Sequence, residues 1–233
     1  MTTFALSDLR PPAAWQIILE AQAAVELARL GLQYQTLTAE RAHFNNPVVL
    51  FPGFGTSERA MFFLADYLKR VGAEVFEWGI GRNHGYVPDL LAQMIDQVRT
   101  LAAQRETRLN LVGWSLGGYI AREVARELPE LVGKVATLGT PVIGGPKYTS
   151  IGALYQKWGF DLDAMAKDVA DREKNPIQKE ILAVYSKDDN IVSWQACVDQ
   201  ISPRVTHHEV SGSHLGLVVN ADAFTSVRDF LQR

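Results

Sequence analysis

The sequence predicts an α/β domain, a mostly parallel central sheet with helices on both faces. Short β-branched, apolar runs alternate along the chain with longer segments whose apolar residues recur at helical spacing, which is the pattern of repeated βαβ units. Residue types suited to catalysis fall directly after several of these runs, at the carboxyl edge where such sheets bind ligands. The 233 residues suit one hydrophobic core, since single cores stop growing near roughly 250–300 residues.

Residues 1–46 are read as an N-terminal amphipathic helix and lead-in. Met1 to Arg10 carry no basic cluster ahead of an apolar run, so no secretory leader is expected. Ala13 to Leu30 is the most hydrophobic stretch, but Gln16, Glu20, Gln22, Glu26 and Arg29 interrupt it too often for a bilayer-crossing helix. It is expected to be an amphipathic helix with Trp15, Ile18, Leu19, Val25 and Leu30 on its apolar side, packed on its own domain. The alternative is contact with a membrane surface or a second subunit.

The core is expected over residues 47–140 and 178–233. Pro47-Val-Val-Leu-Phe51 reads as a strand ending at Pro52-Gly53, and Ser57 to Arg70 as a helix with Ser57 as N-cap. Ala73 to Trp78 is the next strand. Val87 to Gln104 is a helix with Leu90, Leu91, Met94, Ile95, Val98 and Leu101 at helical spacing. Leu109 to Val112 is a strand, Leu116 to Leu128 a helix stopped before Pro129, and Lys134 to Leu138 a strand. Ile181 to Tyr185 and Val205 to Val210 are further strands, and Ala221 to Leu231 closes as a helix. Residues 141–177 break the alternation. This segment is long for a connection, is expected to hold one or two short helices, and follows a strand end, so it is read as a lid or cap insertion.

Composition excludes several classes of function. Lys+Arg 23 against Asp+Glu 26 gives a formal charge of −3, too little positive charge for a general nucleic-acid binder. The single cysteine, Cys197, excludes an internal disulfide and any multi-cysteine metal site and suits a reducing, cytoplasmic setting. No metal or organic cofactor is expected.

The chemistry begins after the strand at Leu109, where Gly113-Trp-Ser-Leu-Gly-Gly118 opens a helix. A serine at a sharp strand–turn–helix junction needs tiny neighbours so that strand and helix can approach, and Gly113 and Gly117 meet that need. Ser115 is the expected nucleophile. A serine hydroxyl needs a base. Of the five histidines, His214 lies on the loop after the Val205 strand, at the same sheet edge. His207 and His208 fall inside a strand, and His43 precedes the first strand. His84 lies on the correct edge but reads better as a pocket-wall or surface residue. The acid that would fix the imidazole tautomer is expected after the Ile181 strand, where Asp189 is preferred and Asp188 is the alternative. An oxyanion would need preorganised N–H donors, expected from Leu116 and from Phe54 in the loop after the first strand.

These stretches, Val48 to Phe54, Leu111 to Gly118, Thr137 to Pro141, Tyr185 to Val192 and Gly212 to Gly216, resemble the α/β-hydrolase superfamily in its lipase/esterase branch. Trp78 to Asn83 is similar to a stretch in bacterial lipase-like hydrolases of unassigned substrate. The resemblance implies an eight-strand-type sheet and hydrolysis of a carboxylic ester by Ser115, Asp189 and His214 through an acyl-enzyme, the substrate being a small-molecule ester with a partly apolar acyl group. Two departures stand out. Pro52-Gly53 replaces the His-Gly of many members, and Val142-Ile-Gly144 stands where many lipases carry His before Gly. The alternatives are an acyltransferase or thioesterase using the same residues, or a non-catalytic ligand-binding member of the fold.

Overall fold

Strands β1 (Val48–Phe51), β3 (Leu109–Trp114), β4 (Val132–Leu138) and β5 (Glu180–Tyr185) lie at the centre of the sheet, and nearly all their residues are buried. Burial on both faces explains their continuous apolar sequences. The computed structural model describes residues 8–232. The first seven residues, part of the stretch in which no leader is expected, lie outside the described range. With β2 (Val75–Glu77) and β6 (Val205–Glu209) the sheet has, among the described residues, six strands in the order β2-β1-β3-β4-β5-β6. Every pairing is parallel. The edge strands are the more exposed ones, which is why His207 and His208 are tolerated in β6.

Side-chain alternation along the strands divides the interior into two cores. Val48 and Leu50 of β1, Val112 and Trp114 of β3 and Leu182 and Val184 of β5 face one side. There they meet helices α1 (Ala23–Leu37), α2 (Phe62–Val71) and α7 (Ala221–Leu231) through Leu30, Leu64, Leu68, Phe224 and Val227. Val49, Phe51, Leu109, Leu111 and Ile181 face the other side, against α3 (Val87–Arg105) and α4 (Leu116–Glu127). Helices therefore cover both faces, as the sequence predicts.

The strand order reverses beside β1. The chain leaves β1 through α2 on one face to reach β2, and leaves β3 through α4 on the other face to reach β4. Loops departing to opposite faces leave a crevice at the carboxyl ends of β1 and β3, the place where open parallel sheets bind ligands.

Three sequence expectations are revised. The sheet has six strands rather than eight, because the described residues ahead of β1 fold as helix and coil. Ser57 makes no capping bond, and α2 is preceded by a tight 3₁₀ turn at Glu58–Met61. The N-terminal segment is helical, as a 3₁₀ stretch (Ala14–Gln22) running into α1, but its apolar side does not face the domain. Trp15 is 66% exposed, and Ile18, Leu19 and Val25 are exposed with it. Leu30 is buried, and the one buried residue of the 3₁₀ stretch is Glu20. The segment is seated by Leu30 of that stripe together with the carboxylates of Glu20 and Glu26. Among the described residues no helix is long and apolar enough to cross a membrane.

Residues 141–177 contain a 3₁₀ turn (Gly145–Tyr148) and helices α5 (Gly152–Lys157) and α6 (Leu162–Glu173). Charge ties α6 to α4. Arg122 is only 1% exposed and pairs with Glu173 at 3.1 Å and Asp199 at 2.8 Å, while Arg172 reaches the buried Glu123 at 2.6 Å.

Candidate active site

Ser115 stands between the last residue of β3 and the first of α4 with φ 55° and ψ −127°, a region that L-residues avoid. Close packing enforces the turn. A Cβ at Gly113 would fall on the backbone of Gly117 and Gly118, and one at Gly117 on the carbonyls of Phe51 and Pro52. The Ser115 backbone is fixed by its N–H donating to the Leu138 carbonyl at 2.8 Å and its carbonyl accepting from the Thr140 hydroxyl at 3.0 Å. Leu116 opens α4, so its N–H is one of the donors that a helix start leaves without an intrahelical partner.

A second unit forms at the ends of β5 and β6. The His214 Nδ1 and Asp189 Oδ2 are 2.6 Å apart, and both side chains are buried. The other oxygen of Asp189 accepts from the backbone N–H groups of Ile191 at 2.8 Å and Val192 at 2.6 Å, which fixes the carboxylate plane. Asp188 is exposed, so the structure brings Asp189 and not its neighbour to the imidazole. Burial disfavours the charged ring, but the Asp189 carboxylate, by charge and by hydrogen bond, and the Glu20 carboxylate outweigh it, and the pKa of His214 lies above the ordinary histidine value. His84 is far more exposed and pairs with Asp89 at 3.2 Å.

The two units adjoin. Trp114, the residue before Ser115, packs its ring at a tilt of 35° against the His214 ring, centroids 5.4 Å apart, and donates its indole N–H to the His214 carbonyl at 3.1 Å. Gly139 has φ 56°, and a Cβ there would lie 3.0 Å from His214 Nδ1. The Ser115 hydroxyl and the imidazole form no direct hydrogen bond in this structure.

Phe54 follows β1. Its loop is tied by Gly55 N–H to the Asn83 carbonyl at 2.8 Å and by the Thr56 hydroxyl to the Gly53 carbonyl at 2.7 Å. The Phe54 ring meets Tyr155 at 5.4 Å and Trp158 at 5.7 Å, from α5 and its end. Ser115, Phe54 and Leu116 line a cavity of about 820 Å³, walled mainly by apolar groups that include Leu91, Tyr155 and Val169.

The match to known proteins agrees with this geometry. Residues 46–175 match the alpha/beta hydrolase fold family. The chain is an alpha/beta hydrolase. It is 32% identical over 103 residues to the biotin biosynthesis bifunctional protein BioHC of Teredinibacter turnerae, a match covering 41% of this chain and 18% of that protein. It is 49% identical over 43 residues to a triacylglycerol lipase of Pseudarthrobacter phenanthrenivorans, covering 18% of this chain and 14% of the lipase. The chain thus spans less than a fifth of these curated relatives. Among solved structures, one from work on the metagenome-derived lipolytic enzymes LipS and LipT superposes with a TM-score of 0.64 at 16% identity, over 83% of this chain and 97% of that one. The monoacylglycerol lipase of Paleococcus ferrophilus gives 0.59 at 17% identity, over 81% and 96%.

Sequence reasoning missed two supports of this hydrolase's site. One is Glu20. The other is Asn83, fully buried, whose amide donates to the Pro52 carbonyl at 2.9 Å and accepts from the Gly85 N–H at 3.1 Å. The available signal is a polar residue midway between Gly81 and Gly85 in the loop after β2. Asn83→Ala leaves both backbone groups without these partners, at a cost of about 1–3 kcal/mol. Thermal melting should show a midpoint lower by roughly 5 °C, and an unchanged midpoint would contradict the bracing role.

Proposed function

We propose that this protein is a serine hydrolase that cleaves a carboxylic ester of a partly apolar acyl group. The observation that carries the reading is the buried His214–Asp189 pair at 2.6 Å, adjoining a strained serine on the wall of a mainly apolar cavity. Rotation of the Ser115 hydroxyl toward the imidazole completes the chain when substrate binds, since such bonds are often open in unliganded sites. Ser115 Oγ then attacks the ester carbonyl as His214 takes its proton. Asp189 holds the ring in the tautomer that presents a free nitrogen to serine and stabilises the imidazolium. The N–H groups of Phe54 and Leu116 receive the oxyanion. His214 protonates the departing alcohol, and water, activated by the same imidazole, releases the acid from Ser115. The acyl chain extends along Leu91, Tyr155 and Val169, with α5 and α6 as its cover.

Two measurements test this. A fluorophosphonate should label Ser115, identified by peptide mass spectrometry; labelling elsewhere, or none, would reject the reading. The pH profile of kcat/KM is the second. Only the neutral imidazole can accept the serine proton, and the pKa of His214 lies above the ordinary value. The acid limb should therefore have its midpoint above pH ~6.5, with rate lost as pH falls through it. A rate flat down to about pH 4 is incompatible with a histidine base.

A further inference from the structure

The N-terminal segment reaches the site with two carboxylates. Glu20, 3% exposed, lies in a 3₁₀ stretch whose large apolar side chains point outward. Its Oε1 accepts from the backbone N–H of Asn190 at 3.0 Å, the Asn190 amide at 3.3 Å and the backbone N–H of His214 at 3.1 Å. Its Oε2 accepts from the Leu215 N–H at 2.7 Å. Asn190 follows Asp189 directly, so one carboxylate clasps the loop carrying the acid and the loop carrying the imidazole. Glu26 holds the residue before His214, accepting from the Ser213 N–H at 2.8 Å and from its hydroxyl at 2.9 Å. Gly216 makes room for this contact, since a Cβ there would fall on the Glu26 carboxylate.

We infer that Glu20 is a positioning residue for the proposed hydrolysis: it fixes the His214 and Asp189 loops against each other and sets a second negative charge behind the imidazole. The inference rests on the serine-hydrolase reading above. A burial this complete is expensive for a carboxylate unless its hydrogen bonds are made. Here they are made to the two loops whose separation sets the His214–Asp189 bond, so the one buried side chain of the 3₁₀ stretch is spent on that bond. The charged groups about the ring are Asp189, from the loop after β5, and Glu20. Glu26 lies one residue away on Ser213, and beside Asp189 sits the Cys197 thiol, its pKa pushed up by burial and by that carboxylate. Removing the charge of Glu20 withdraws support from the imidazolium that forms during attack.

The test is Glu20→Gln in the full chain. Its shape is kept, but one carboxylate oxygen becomes an NH₂ that faces an N–H donor. The expected result is a kcat about tenfold lower with KM within about twofold, and a kcat/KM acid limb moved downward by roughly one unit, the two shifts being equivalent in free energy. Glu20→Asp, which keeps the charge, should restore most of the pH shift. NMR titration of the His214 ring, comparing Ser115→Ala with Ser115→Ala/Glu20→Gln, reads the same downward shift without turnover. Wild-type kcat in Glu20→Gln, or a lower kcat with the His214 titration unmoved, would overturn the inference. If Glu20→Gln does not fold, Glu20→Asp decides: a wild-type kcat or an unmoved His214 titration overturns it, and a lower kcat with a small residual downward shift of that titration supports it. Activity retained in Ser115→Ala would instead remove the hydrolase reading while leaving the titration result standing.

Discussion

Ser115→Ala should lose hydrolysis of short p-nitrophenyl esters by about 10⁴-fold or more, because in the proposed mechanism serine and histidine act as one unit and removing either removes the covalent route. The fold should survive. The contacts that fix residue 115 are made by its backbone, to Leu138 and Thr140, and alanine keeps them. Alanine also keeps the Cβ that is strained at φ 55°. Ser115→Gly should be equally inactive but more stable, by about 1 kcal/mol, because glycine adopts this backbone without strain. The pair separates chemistry from stability: both lose activity, and only one gains melting temperature. Full ester hydrolysis by Ser115→Ala would end the proposal.

What the sequence made legible follows from how local each constraint is. The central strands announce themselves because burial on both faces leaves no polar position in runs such as Val48 to Phe51. The serine turn announces itself because strand and helix touch between Gly113 and Gly118, which demands glycines two residues to either side of the serine. Edge strand β2, half-buried, is shorter than its apolar pattern suggests. The charged cluster was illegible for a different reason. Arg122 and Glu123 read as the polar face of an amphipathic helix, yet both are buried, because α6 brings Arg172 and Glu173 onto that face. Glu20 is the extreme case. It meets Asn190 and His214 across 170 and 194 residues of chain, and in a helical pattern it reads only as an interruption of the apolar stripe. Neither Asp188 nor Asp189 is distinguished by composition; the turn that points Oδ1 of Asp189 at Ile191 and Val192 makes the choice.

That turn also dictates what Asp189→Asn should do. The N–H groups of Ile191 and Val192 both donate to one oxygen of residue 189. Asparagine keeps these bonds only by placing its carbonyl oxygen there, so its NH₂ occupies the place of Oδ2 and points at His214 Nδ1. A donor now faces that nitrogen, which must become an acceptor, and the ring proton moves to Nε2. The nitrogen offered to Ser115 then carries a hydrogen and cannot take another, and the imidazolium loses its nearest counter-charge. A fall in kcat of about 10⁴-fold is expected, with KM little changed. Because the main group raising the His214 pKa is gone, burial dominates, and the ring should titrate below its wild-type value. Kinetics and NMR titration on the same variant check both parts. An Asp189→Asn protein that hydrolyses esters at the wild-type rate, or whose His214 titrates unchanged, would show that the 2.6 Å contact has no part in catalysis.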